Sequence, residues 1–188
     1  MSGFRSPGMA TYFISDTHFG DAPRLRIDKR PFASAAEMDR VMVEHWNEVA
    51  GPDDDIWHLG DFAFGPPRQR IAELLASLNG RKHLLVGNND EAATLEQPDW
   101  ASVQHYAEIT VDGRRLVLGH YPFRTWHDMG KGVINLHGHS HGRLKPAPRQ
   151  YDVGVDVWDF RPVALATILG QRRRSVATRR PASRAAGS

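Results

Sequence analysis

The chain has 188 residues, with 24 Lys and Arg against 22 Asp and Glu and no cysteine. This length fits one globular domain with a sizeable core. The missing cysteine excludes disulfides, zinc ribbons and thiol nucleophiles, so any metal must be held by histidine, carboxylate or amide groups. No apolar run approaches the roughly 18 residues of a membrane span. The Gly, Ser and Pro-rich start from Met1 to Ala10 lacks the apolar stretch of a secretory signal, and Met9 is an alternative start. A cytoplasmic protein with no membrane partner is expected. The basic excess is concentrated in Arg172, Arg173, Arg174, Arg179, Arg180 and Arg184. We therefore divide the chain into a mildly acidic domain over 9–170 and a basic tail over 171–188. The tail suits either a solvated, disordered end or a contact with polyanions such as nucleic acid.

In chain order, Thr11 to Ile14 is a β-rich apolar run that ends in the polar loop Ser15 to Asp21. Ser34 followed by Glu37 forms a capping box, and Met38, Val41, Met42, His45, Trp46 and Val49 recur at helical spacing up to the stop at Gly51-Pro52. Asp55 to Leu59 reads as a buried strand leading into Gly60-Asp61. Pro66-Pro67 opens a second helix with Ile71, Leu74, Leu75 and Leu78 on one face, and Asn79-Gly80 closes it. His83 to Val86 is a further strand, broken by Gly87-Asn88-Asn89-Asp90. This alternation predicts parallel pairing with polar loops at strand ends.

The second half changes character. Gln104 to Val111 and Arg114 to Gly119 flank Asp112-Gly113, a hairpin signal. Strands over Val133 to His137 and Tyr151 to Val155 follow, then a closing helix around Val163 to Leu169. The pattern predicts an α/β fold of two packed mixed sheets flanked by helices.

Five short motifs each end a predicted strand: Asp16-Thr17-His18, Gly60-Asp61, Gly87-Asn88-Asn89-Asp90, Gly119-His120 and Gly138-His139-Ser140-His141. Each alone is ordinary punctuation. Together they hold the aspartates, amide and histidines that a dinuclear site needs, in which two divalent ions ~3.5–4 Å apart clamp a phosphoryl group and lower the pKa of water. Strand alternation predicts that the outer residues of Asp16-Thr17-His18 and of His139-Ser140-His141 point the same way.

The order and spacing of the motifs resemble the calcineurin-like metallophosphoesterases, whose pattern is D-x-H, G-D, G-N-H-D/E, H and G-H-x-H. The flanking words Phe13 to Gly20, His58 to Phe62 and Leu136 to His141 resemble small bacterial and phage members. The resemblance covers Thr11 to about Leu169 and implies a four-layer α/β/β/α sandwich. It also implies that Asp16, His18, Asp61 and His141 hold a first metal, and that Asp61 bridges to a second completed by Asn88, His120 and His139. Two divalent ions less two carboxylates and a hydroxide leave about one positive charge, which suits an anionic substrate. Mixed N/O ligation suits Mn, Fe, Ni, Co or Zn. The implied reaction is phosphoester hydrolysis by metal-activated hydroxide.

The chain departs from this pattern at Asn89, where the family carries a histidine that contacts the phosphoryl oxygen or protonates the leaving group. Asparagine can donate a hydrogen bond but cannot serve as an acid. A diester, from a nucleotide or nucleic acid, is therefore expected as substrate. Phosphomonoester hydrolysis and a binding scaffold of the same fold are the alternatives. Catalytic roles fall to Asp61, Asn89 and, as a proton donor in reserve, His127. Tyr121, Arg124, Trp126 and Lys131, in the segment after His120, are expected to contact substrate along with Asn89. Trp126 suits either a stacked base or a core position. His58 is close enough in sequence to Asp61 to support a ligand.

Overall fold

The computed structural model describes residues 9–170, so the arginine tail lies outside the described residues. Strand β1 (Thr11–Ile14) is followed by α1 (Ala22–Ile27), α2 (Ala35–Val49), β2 (Asp55–His58), α3 (Arg68–Ser77), β3 (Arg81–Leu85), α4 (Ala92–Leu95) and β4 (Trp100–Gln104). Strands β5 (Tyr106–Val111), β6 (Arg114–Gly119), β7 (Ile134–His137), β8 (Gln150–Asp152) and β9 (Val163–Ala164) complete the order, with a helical segment over 165–170. One sheet runs β4-β3-β2-β1-β9, and the other β5-β6-β7-β8. Both are mixed. Strands β1 to β4 are parallel with β9 antiparallel on the edge, while β5 and β6 form a hairpin beside parallel β7 and β8. The expected α/β fold of two mixed sheets flanked by helices is what the structure has.

Period-two alternation creates the layers. Phe13 joins Leu116, Leu118, Ile134 and Leu136 in the apolar seam between the sheets. Its neighbour Ile14 turns the other way, with Ile56 and Leu84, onto Met38, Met42 and Trp46 of α2 and Ile71, Leu74 and Leu75 of α3. Ser34 caps α2 by accepting from the Glu37 N–H at 3.1 Å. The return half of the capping box shifts by one residue, because Glu37 accepts from Ala33 instead. On the outer face of the second sheet, Asn135 accepts from the Phe123 N–H at 3.4 Å. A β-carbon on Gly119 would meet the Phe123 ring at 2.7 Å, so the 121–133 segment covers that face closely.

Several boundaries differ from the sequence reading. The first hairpin arm starts at Tyr106, and Gln104 belongs to β4, which pairs with β3 in the other sheet. His105 between them is the crossing point. Helix α1 was not foreseen, because its six residues show no apolar period and bury none of their own. The chain after Arg161-Pro162 first adds β9 against β1 before turning helical. Beyond Asp152 the backbone leaves the sheet for a 3-10 turn over Val155–Val157.

Candidate metal centre

The parallel pairing of β1, β2 and β3, and of β6 and β7, brings all five motifs to strand carboxyl ends. Backbone bonds lace the loops together: Asp16 N–H donates to Gly60, His18 N–H to Asp61, and Gly138 N–H to His120. The two sheets are joined directly where the His139 N–H donates to the Asp16 carboxylate at 3.0 and 3.1 Å.

Convergence does not come from strand alternation. Asp16, His18, Asp61, His139 and His141 all have left-handed backbones, with φ of 58°, 51°, 59°, 65° and 47°. Such conformations are uncommon for residues with a β-carbon, and each costs on the order of 1–3 kcal/mol. Their concentration in the motifs marks where the fold spends stability to aim side chains. Glycine permits the approach: a β-carbon on Gly138 would overlap Ser15 and come 2.6 Å from Asp16 Oδ2, and one on Gly87 would overlap Asp61.

Two overlapping donor sets result, Asp16–His18–His141 and Asp16–Asp61–His120, each with ligating atoms within 4.8 Å of one another. Asp61 turns one oxygen to each side, Oδ2 at 3.5 Å from His18 Nε2 and Oδ1 at 3.6 Å from His120 Nε2. Asn88 Oδ1 lies 3.1 Å from His120 Nε2. The His139 ring packs 5.2 Å from that of His120.

The chemistry of these atoms fits a cation. His18 is buried, and neither ring nitrogen has a hydrogen-bond partner among the described residues. Burial, followed by the nearby Arg24 and Arg30 charges, holds its pKa far below the ordinary range, so it is a neutral imidazole. His120 Nδ1 must carry the proton, since it donates to the Leu59 carbonyl at 2.8 Å; burial keeps the ring neutral against the pull of Asp61. Its Nε2 lone pair therefore faces the Asn88 and Asp61 oxygens with no proton among them, a conflict that a metal ion relieves.

Behind the donors lies a network that the motifs did not announce. His141 Nδ1 donates to Asp156 at 2.7 Å. Burial opposes its charge, but Asp156, Asp16 and Asp28 together raise its pKa. Arg30 holds Asp156 with bonds of 3.0 and 2.9 Å and also donates to the Asp16 and Thr17 carbonyls at 2.6 and 2.9 Å. Arg24 and Arg143 pair with Asp28. Asp90 accepts from the N–H groups of Asp61, Phe62 and Gly87, each at 2.8 Å. Burial nevertheless pushes Asp90 up to about 6 against those three donors. Asp90 was legible as part of its motif, whereas Arg30 and Asp156 lie outside every motif and only the fold brings them together.

The remaining sequence candidates separate clearly. Tyr121 is 49% exposed and its ring lies 4.6 Å from that of His139. Asn89 is at the centre but turned onto Asp61, not toward open space. Arg124 is exposed. Trp126 is half-buried, and its indole N–H donates to the Val133 carbonyl at 2.9 Å, the covering role rather than a free stacking face. His127 and Lys131 are not brought to the donors. His127 contacts Glu108 at 3.0 Å and Lys131 contacts Asp128 at 2.9 Å, in an exposed cluster with Arg115. Arg115 and Val117, which pairs with Glu108, precede His120 by three to five residues, roughly 10–17 Å of strand. His58 donates to the Thr17 hydroxyl at 2.9 Å, which in turn donates to the Phe62 carbonyl at 2.7 Å. It thus steadies the middle of the first motif from beneath.

Fold and loop-borne donors together define a small protein of the metallophosphoesterase type, resembling phage members. No family model matches the chain. The chain belongs to the family of the uncharacterized protein MJ1445 of Methanocaldococcus jannaschii, with which it is 30% identical over 166 residues, covering 84% of this chain and 88% of that protein. The Gene 66 protein of Mycobacterium phage D29 is 31% identical over 178 residues, covering 78% of this chain and 88% of the phage protein. Among solved structures, AQ665 of Aquifex aeolicus, a protein of unknown function, shares the fold with a TM-score of 0.69 at 22% identity, covering 87% of this chain and all of that one (100%). Among the described residues no helix is long and apolar enough to cross a membrane.

Proposed function

We propose that residues 9–170 form a phosphoesterase that uses two divalent ions and acts on a phosphodiester of a nucleotide or nucleic acid. The observation that carries this reading is the buried His18, with both nitrogens unpartnered among the described residues, facing Asp61 inside a ring of further donors. Asp16, His18 and His141 would hold one ion, Asn88, His120 and His139 the other, and Asp61 both. Ions of the Mn, Fe, Ni, Co or Zn type suit this donor mixture and, when bound, would supply Lewis acidity and a water-derived nucleophile near neutral pH.

The chain's own residues position these groups. Asp156 sets the His141 tautomer, the Leu59 carbonyl sets that of His120, and the His139 N–H orients Asp16. Exposed Tyr121 at the rim offers a face on which a base can stack. The commitment of Asn89 to Asp61 leaves fewer positive donors for a dianionic monoester, which favours a diester.

The test is turnover of an aryl phosphodiester beside an aryl phosphomonoester after chelation and readdition of Mn, Ni or Zn. Diester turnover that needs metal is expected, with two ions per chain. Asp61→Asn should abolish it. One ion per chain, or full activity in that variant, would contradict the dinuclear assignment.

A further inference from the structure

Helix α1 delivers a cation to the donor cluster. Arg24 Nε donates to Asp21 Oδ2 at 3.2 Å and Nη1 to Asp28 Oδ2 at 3.4 Å. Each carboxylate also approaches a donor histidine: Asp21 Oδ2 lies 3.3 Å from His18 Nδ1, and Asp28 Oδ2 lies 3.5 Å from His141 Nδ1. The two imidazoles stack with centroids 5.5 Å apart. Arg24 therefore spans the edge of this pair, anchored at both ends. Its side chain is 20% exposed, against 60% for Arg40 on α2, so it is held at the rim. Its charge reaches across the site, adding to burial in holding down the pKa of His18 on one side and His139 on the other.

Two of the five guanidinium N–H groups are engaged by Asp21 and Asp28, and three remain. The position invites an anion. Asn89, the residue expected to meet the phosphoryl oxygens, spends its amide on Asp61, so another donor is needed there. We propose that Arg24 is a substrate ligand that donates to a non-bridging oxygen of the phosphoryl group, an assignment that rests on the phosphoesterase reading above. A guanidinium suits this role because its fork matches a phosphate edge. Its pKa lies too high for it to serve as an acid. Arg24 thus adds binding and charge stabilisation but no proton for a leaving group, consistent with a diester substrate.

The experiment compares wild-type protein, Arg24→Ala, Arg24→Lys and Arg24→Gln, all loaded with Mn, with Arg26→Ala as the control from the exposed side of the same helix. Affinity for inorganic phosphate is read by calorimetry, alongside kcat/KM for an aryl diester, metal content and Tm. Arg24→Ala should lose about 10- to 100-fold in phosphate affinity and in kcat/KM, the scale of a charge-assisted hydrogen bond. Metal content should hold, added guanidinium should restore part of the loss, and Arg26→Ala should match wild type. Unchanged phosphate affinity in Arg24→Ala, loss of metal together with phosphate, or a wild type without phosphate affinity would each overturn the assignment. If Arg24→Ala does not fold, the Lys and Gln variants decide by the same readouts. A wild type that binds phosphate but hydrolyses no ester would sink the phosphoesterase reading, while the affinity comparison still judges Arg24.

Discussion

Asn89 folds back onto Asp61, donating its amide to Oδ2 at 2.6 Å and its backbone N–H to Oδ1 at 2.8 Å. Both oxygens of the carboxylate between the donor sets are thereby fixed in direction. The residue that departs from the resembling pattern is an orienting group for a proposed ligand, so removing its side chain should act on the metal first. Asn89→Ala should weaken metal binding by about 10- to 100-fold, the usual effect of losing an outer partner of a ligand. A metal titration of apoprotein checks this, and an unchanged affinity would show that the bond contributes nothing.

The same geometry predicts a steep dependence on the leaving group. Asn89 cannot donate a proton, Arg24 does not release one, and His127 is bound to Glu108 at 3.0 Å away from the donors. General acid catalysis typically contributes ~10²–10⁴-fold, so aryl diesters should outpace alkyl diesters by at least that order. A series of diesters graded by leaving-group pKa measures it. Similar rates across the series would require a proton donor not yet identified. Asn89→His should recover some activity on poor leaving groups, provided the ring turns away from Asp61 and metal content is unchanged.

Arg30 supports the centre from beneath. It is buried, with bonds to Asp156 and to the carbonyls of Asp16 and Thr17. Arg30→Met would leave a largely buried carboxylate and two carbonyls without their partner, at a cost of about 3–5 kcal/mol. Denaturant unfolding of the metal-free protein measures this directly. The loss should shrink when Asp156 is also replaced by Asn, because the stranded charge is then gone. Additive losses in the double variant would mean that the pair is not coupled.

These outer residues mark the limit of what the chain reveals in one dimension. The strands, α2, α3 and the five loops were legible because period, caps and glycine punctuation are local signals. Helix α1 was not, since its six residues carry no apolar stripe. Arg30 and Asp156 are 126 positions apart and meet only through the β1 crossover and the return to β8. The segment after His120 misled for the opposite reason: its charges suggested a substrate surface, but local pairing among Glu108, Arg115, Asp128 and Lys131 satisfies them elsewhere. The five left-handed residues were also invisible, because nothing in an aspartate or histidine declares a positive φ.

Asp16 makes the metal-free protein sensitive to alkaline pH. Burial pushes its pKa from 3.8 up to about 8; His141 opposes the shift, while Asp152 and Asp61 add to it. Between those values the folded chain keeps a proton that the unfolded chain has released, so rising pH favours unfolding. The stability this group contributes is fully present below about pH 3.8 and is lost as pH rises through about 8. Asp90, raised to about 6, acts with the same sign over the lower part of the range. Metal reverses the preference, since a ligating carboxylate must give up its proton. Loading should therefore release protons below pH 8, seen as a calorimetric enthalpy that changes with buffer, and affinity should climb with pH to that point. Asp16→Asn has no proton to lose. Its metal-free Tm should fall less between pH 5 and 9 than that of wild type, exceed wild type at the alkaline end, and no longer rise when metal is added. If the two metal-free proteins follow parallel Tm curves across that range, Asp16 is ionised throughout and the buried proton assigned to it does not exist.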